Sequence, residues 1–187
     1  MADTHTRVWT DADLFALPTG KGERYELVEG ELRIMAPPGG KHGQVADAIS
    51  GEFYLYLKTH RTGVGVTAET GFYTRGDTHT VRAPDYAYIS GEKVPAGGLP
   101  EGYLDIAPDL VVEVISPHDR AEDVDQKTQE WLAFGARIVW VVYPTTGRIF
   151  VYAQGERSPT VYGREDTITG GDVLPGFSVA VGTFFER

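Results

Sequence analysis

Asp109-Leu110-Val111-Val112-Glu113-Val114-Ile115-Ser116 is the stretch on which the fold turns. It is a nearly continuous apolar run rich in β-branched residues, the pattern of a central strand buried on both faces. One carboxylate, Glu113, interrupts it. Burying an unpaired carboxylate costs several kcal/mol, so such a group is usually held by an ion-pair partner or a metal. Glu113 is therefore the leading candidate for chemistry. An Arg salt bridge or a solvent-facing edge strand is the competing explanation.

Downstream, residues 121–134 read as a helix. Asp119 or a neighbour would cap it, Glu122 and Asp123 suit its first turn, and Gly135 stops it. Residues 138–143 form a second buried strand closed by Pro144, and 148–152 return as its hairpin partner. Short strands are expected near 160–162 and 177–181. Upstream, 86–89 is a strand entered through Ala83-Pro84-Asp85, with short strands at 65–68 and 71–75 and a Gly/Pro-rich surface segment at 90–106. Residues 41–60 carry Val45, Ile49, Phe53, Tyr56 and Leu57 on one helical stripe. Residues 25–28 and 31–35 form a hairpin across Glu29-Gly30. A short capped helix at 10–15 ends at Pro18. The pattern predicts an α/β (α+β) fold, a mixed sheet flanked by two main helices with an N-terminal β-hairpin, as a single domain over residues 1–187.

The chain has 187 residues with 27 Asp+Glu, 17 Lys+Arg, five His and no Cys. Absence of Cys excludes disulfides, thiolate metal sites and Cys nucleophiles. The first eight residues are too polar for a signal peptide, and no apolar run could span a bilayer, so a cytoplasmic, non-membrane protein is expected. The net charge of −10 argues against a non-specific nucleic-acid coat protein. It leaves room for a nuclease, because carboxylates gathered round a metal also make a protein acidic. Phosphate-loop, His-Glu-x-x-His and nucleophile-elbow patterns are all missing.

Asp85 is the natural companion of Glu113. An Asp and a Glu from adjacent strands, with a backbone carbonyl, offer the hard oxygen ligands that Mg²⁺ prefers. Asp109 shares the Ala-Pro-Asp context, but lies about 13 Å from Glu113 along an extended strand, too far to share one ion. Lys127 falls inside the apolar arc of its helix, between Val124 and Trp131. There it either snorkels past the edge or points its ammonium at something negative. Arg82 would hold a phosphate or pair with the carboxylates. His42 and Glu52 are secondary candidates on the helix at 41–60.

Tyr25-Glu26-Leu27-Val28-Glu29-Gly30-Glu31-Leu32, Pro37-Pro38 with His42-Gly43, Val81-Arg82-Ala83-Pro84-Asp85, Pro108 to Pro117, and Asp172-Val173-Leu174-Pro175-Gly176-Phe177 appear in this order. Together they resemble the Uma (Uma-two) family of bacterial restriction-endonuclease-like proteins, within the PD-(D/E)XK nuclease superfamily. The resemblance implies a restriction-endonuclease-like core in which Pro84-Asp85 supplies the PD and Glu113 the following acid. Ile115 stands where the superfamily usually has its lysine, and Lys127 on the next helix is the matching residue. An acidic residue on the first helix, common in the superfamily, would be Glu52.

The expected function is a Mg²⁺- or Mn²⁺-dependent endonuclease that hydrolyses DNA phosphodiester bonds by metal-activated water. Asp85, Glu113 and the Val114 carbonyl would be its ligands, and Lys127 its electrostatic partner. The alternative is a catalytically degenerate nuclease-fold module that binds DNA or protein without cleavage. Cutting both strands usually needs two symmetry-related sites, so a homodimer is expected, and an edge such as the 148–152 hairpin could supply its interface.

Overall fold

Residues 7–17, 24–68 and 70–186 are described in the computed structural model. Thr10 opens α1 (Asp11–Phe15) through a reciprocal capping box with Asp13. Pro18, the expected stop, lies outside the described residues. β1 (Arg24–Val28) and β2 (Glu31–Met35) pair antiparallel as a sheet of their own. Their turn takes Glu29 and Gly30 to φ 52° and 80°, the two left-handed residues that suit a right-twisted hairpin. α2 (Gly40–His60) buries Val45, Ile49, Phe53 and Tyr56, the stripe its sequence period predicts.

The main sheet runs β3 (Gly63–Thr67), β4 (Tyr86–Ser90), β5 (Leu110–Val114), β6 (Ile138–Tyr143), β7 (Arg148–Ala153) and β8 (Thr160–Tyr162), in that order. Only β5 and β6 are parallel. A parallel pair needs a crossover, and α3 (Ala121–Phe134) provides it. β9 (Thr167–Gly170) and β10 (Leu174–Ala180) form a second hairpin, followed by a 3₁₀ turn at Val181–Phe184.

Strand alternation sorts the core into two layers. Leu110, Val112 and Val114 of β5 join Tyr86, Tyr88, Trp140 and Val142 beneath Val45, Ile49 and Phe53 of α2. Val111 joins Ala87, Ile89, Val139 and Val141 on the opposite face, against Trp131 of α3. Phe53 locks the first layer by stacking on Tyr86 and Phe177, each at 4.6 Å between centroids. By the same alternation Glu113 faces α3.

Three expectations are corrected and one strand was missed. Residues 71–75 are not a strand: Phe72 alone bridges Arg82 and Leu104 before the chain turns. β9 was not anticipated, because Ile168 is its only large apolar residue. Asp119 does not cap α3; its Oδ2 accepts from Ser116 N at 2.7 Å, and its neighbour Arg120 occupies the N-cap position without a side-chain capping bond. The β7 hairpin is not a free edge, because β8 pairs along it. No helix among the described residues is long and apolar enough to cross a membrane.

Candidate metal and phosphate site

Asp85 stands one residue before β4. The pairing Tyr86↔Val112, carried one step further, sets Asp85 opposite Glu113, and residues directly opposite in an antiparallel pair share a face. Asp85 N–H donates to the Val112 carbonyl at 3.1 Å. Its carboxylate reaches along the neighbouring strand, where Oδ2 accepts from Val114 N at 2.7 Å. His42 Nε2 lies 3.3 Å from Oδ2, and the Arg24 guanidinium 3.6 Å from Oδ1. Burial pushes the Asp85 carboxyl up, but the bond and charge of His42, the Val114 N–H and Lys127 outweigh it and leave it below its usual value. His42 answers in kind. Burial disfavours its charged form, yet the Asp85 carboxylate raises its pKa.

Glu113 has both oxygens engaged. Lys127 Nζ donates to Oε2 at 3.0 Å, and the Trp131 indole N–H donates to Oε1 at 2.7 Å. Burial lifts Glu113 from 4.5 to about 7, with Asp85 and Glu26 pushing the same way and Lys127 opposing. Lys127 Nζ also lies 2.9 Å from Glu26 Oε1 and donates to the Ala83 carbonyl at 3.1 Å. Three oxygens thus occupy the three N–H donors of one ammonium. Burial works against its charge, but Glu113 and Glu26 dominate and raise its pKa.

Arg82 is only 3% exposed and is spent inside the protein. It donates to Glu26 Oε2 at 3.0 Å, and to Glu130 Oε2 through Nε at 3.1 Å and a terminal nitrogen at 2.8 Å. It is an ion-pair partner in this geometry, not a free phosphate holder. Thr74 donates to the other Glu130 oxygen. Glu52 is half-buried and sits ten residues past His42, about 15 Å along the helix axis, which takes it away from the cluster. Asp109 sits at the other end of β5, paired with Lys93 at 2.8 Å and with Ser90 N at 2.8 Å.

The structure therefore gathers Asp85, Glu113, Lys127 and His42, with Arg82 one layer behind and Glu52 outside. It adds Glu26, Glu130, Trp131 and Arg24, which the sequence reading passed over as site residues. Glu26 had the same signal as Glu113: a carboxylate set in an apolar strand, followed by buried Leu27 and Val28.

Two carboxylates on one face, one of them lifted to titrate at about 7, form a donor set that fits a hard divalent cation. Among the described residues, no group of three His, Cys, Asp or Glu side chains is disposed to hold a metal ion. A cation at Asp85 and Glu113 would thus complete its shell with main-chain carbonyl, water and phosphate oxygens.

Comparison with known proteins agrees with this architecture. Among solved structures, the chain is similar to one described as "a putative nuclease belonging to DUF820 from Anabaena variabilis ATCC 29413". The two share 20% identity and superpose with a TM-score of 0.79, over 94% of this chain and 97% of that one. That likeness concerns the fold. No curated protein matches the chain. The Uma2 family model, described as "Putative restriction endonuclease", matches residues 11–182. With that match running through nearly its whole length, the chain belongs to the Uma2 family.

Proposed function

We propose that this protein is a Mg²⁺- or Mn²⁺-dependent endonuclease that hydrolyses DNA phosphodiester bonds. The observation that carries the reading is the facing pair Asp85 and Glu113, with the Lys127 ammonium 3.0 Å from Glu113. Asp85, Glu113 and the Val114 carbonyl would hold the cation. When bound, the cation supplies a Lewis acid for the phosphodiester and makes water a stronger nucleophile at neutral pH.

The chain's own groups have distinct tasks in this reading. Asp85 is kept ionised by His42 and the Val114 N–H, so it offers a charged ligand without first losing a proton. Glu113 would hold the cation as the carboxylate, its proton passing to solvent. Lys127 holds a fixed positive charge beside the phosphate and stabilises the negative charge that develops on it. Trp131 orients Glu113 through the indole N–H. Cutting both strands would call for two copies of the chain, and a homodimer is part of the proposal.

Plasmid cleavage with and without Mn²⁺ tests the reading, on wild type and on Glu113→Ala and Asp85→Asn. Cleavage by wild type alone supports it. Mn²⁺ binding without cleavage points instead to a binding module, and failure to bind millimolar Mn²⁺ removes the metal site.

A further inference from the structure

We infer that Glu26, on the N-terminal hairpin, is the positioning residue for Lys127. The inference rests on the nuclease reading and deepens it. A lysine is a compact charge on a flexible four-carbon stem, so its usefulness depends on what fixes the ammonium. Here the fixing oxygens are Glu113 Oε2, the Ala83 carbonyl and Glu26 Oε1. Glu113 is a proposed ligand, and turning its oxygens toward a cation weakens its hold on the ammonium. Glu26 and the Ala83 carbonyl remain.

Glu26 is built for the task. It is 2% exposed. Its Oε1 accepts from Ala83 N at 3.1 Å as well as facing Lys127, and its Oε2 accepts from Arg82 at 3.0 Å. Arg82 is held in turn by Glu130, and Glu130 by Thr74. Glu26 is therefore fixed on both oxygens and is not free to follow the ammonium. Both main-chain groups of Ala83 join the same knot, its N–H on Glu26 and its carbonyl on Lys127. Asp85 is two residues on. One carboxylate thus sets the spacing between the charge on α3 and the turn that carries Asp85. Both Glu26 oxygens are taken, Oε1 by Ala83 N and Lys127 and Oε2 by Arg82, so it acts through Lys127.

The test is a double-mutant cycle on the full chain with Glu26→Gln and Lys127→Ala. Glutamine keeps an oxygen for the Ala83 N–H while removing the charge. With Lys127 present, Glu26→Gln should lower kcat roughly tenfold to hundredfold, the scale of a misplaced catalytic group. KM and Mn²⁺ affinity should stay unchanged. In the Lys127→Ala background it should lower the residual rate no further. Equal losses in both backgrounds, or a loss confined to KM or to Mn²⁺ affinity, would overturn the inference. Should Glu26→Gln fail to fold, Glu26→Asp is run through the same cycle.

If the wild type itself does not cleave, the nuclease reading fails separately. The same cycle is then read by urea unfolding without metal. Non-additive effects of the two substitutions would still support anchoring of Lys127 by Glu26, whereas additive effects would refute it.

Discussion

Metal-free stability should fall as the pH rises from about 5 to 7.5, and Glu113 sets the size of the fall. Its carboxyl titrates near 7 in the folded protein against 4.5 normally, a gap of about 2.5 pH units at about 1.4 kcal/mol each. Between those values the folded chain holds a proton that the unfolded chain has released. Stability therefore declines with pH through that window and levels off above it. The full effect is about 3 kcal/mol, a large part of the 5–15 kcal/mol typical of a folded domain. His42 has the same sign: its raised pKa contributes stability that is present below 6.5 and lost as pH climbs through the folded value. Asp85 and Glu26 act at the other end. Their lowered values give stability that is lost only as the solution becomes strongly acidic. Urea unfolding in EDTA at half-unit steps from pH 5 to 8.5 reads the slope directly. His42→Asn should leave most of the decline in place, while Glu113→Gln should remove most of it. A wild-type stability that is flat or rising from pH 5 to 7.5 would refute the argument, because it would mean that Glu113 is ionised like an ordinary surface carboxylate.

Saturating Mn²⁺ should stabilise the fold by about 2.7 kcal/mol at a hundred times its dissociation constant. Thermal melting should show this in wild type and not in Asp85→Asn. Lys127→Met strips the cation from between Glu26 and Glu113, and breaking such a buried pair costs about 3–5 kcal/mol. Urea unfolding should find a smaller cost at pH 6, where Glu113 takes up a proton, than at pH 8. Trp131→Phe leaves Glu113 Oε1 without its donor and should cost about 1–3 kcal/mol for that unmet bond, with Glu113 titrating higher still when followed by NMR. Glu52→Ala should change unfolding by less than about 0.5 kcal/mol and leave plasmid cleavage as in wild type.

The sheet was legible because its central strands are continuous apolar runs and its helices carry clean 3.6-residue stripes. Both signals are local. Residues 121–134 and 160–162 are bounded as read, whereas 71–75 failed because one bridging residue does not make a ladder. In the site, Glu113 could be read from a polar residue placed where the pattern wants none, and Asp85 from its place after Pro84 at the entry of the neighbouring strand. Lys127 followed from the arc of one helix. Glu26 escaped although it carries the same kind of signal, because what marks it is the company of Lys127 and Arg82. Those partners lie 101 and 56 residues away in the chain, and that meeting is a property of the hairpin's docking. Glu52 was named for its helix and for the family resemblance, and α2 carries it ten residues beyond His42.

The crossover between β5 and β6 has a consequence for how the protein can vary. Strands that run the same way cannot be joined without a return path, so α3 is compulsory, and it carries Lys127, Glu130 and Trp131 at i, i+3 and i+4 on one side. The ammonium, its distal brace and the indole that orients Glu113 are therefore inherited as one rigid cassette. Rearrangements that cut the chain between 110 and 143 should cost the sheet and the site together. Cuts in the surface segment at 95–102 should spare both. A recombination or circular-permutation library would sort itself along that line.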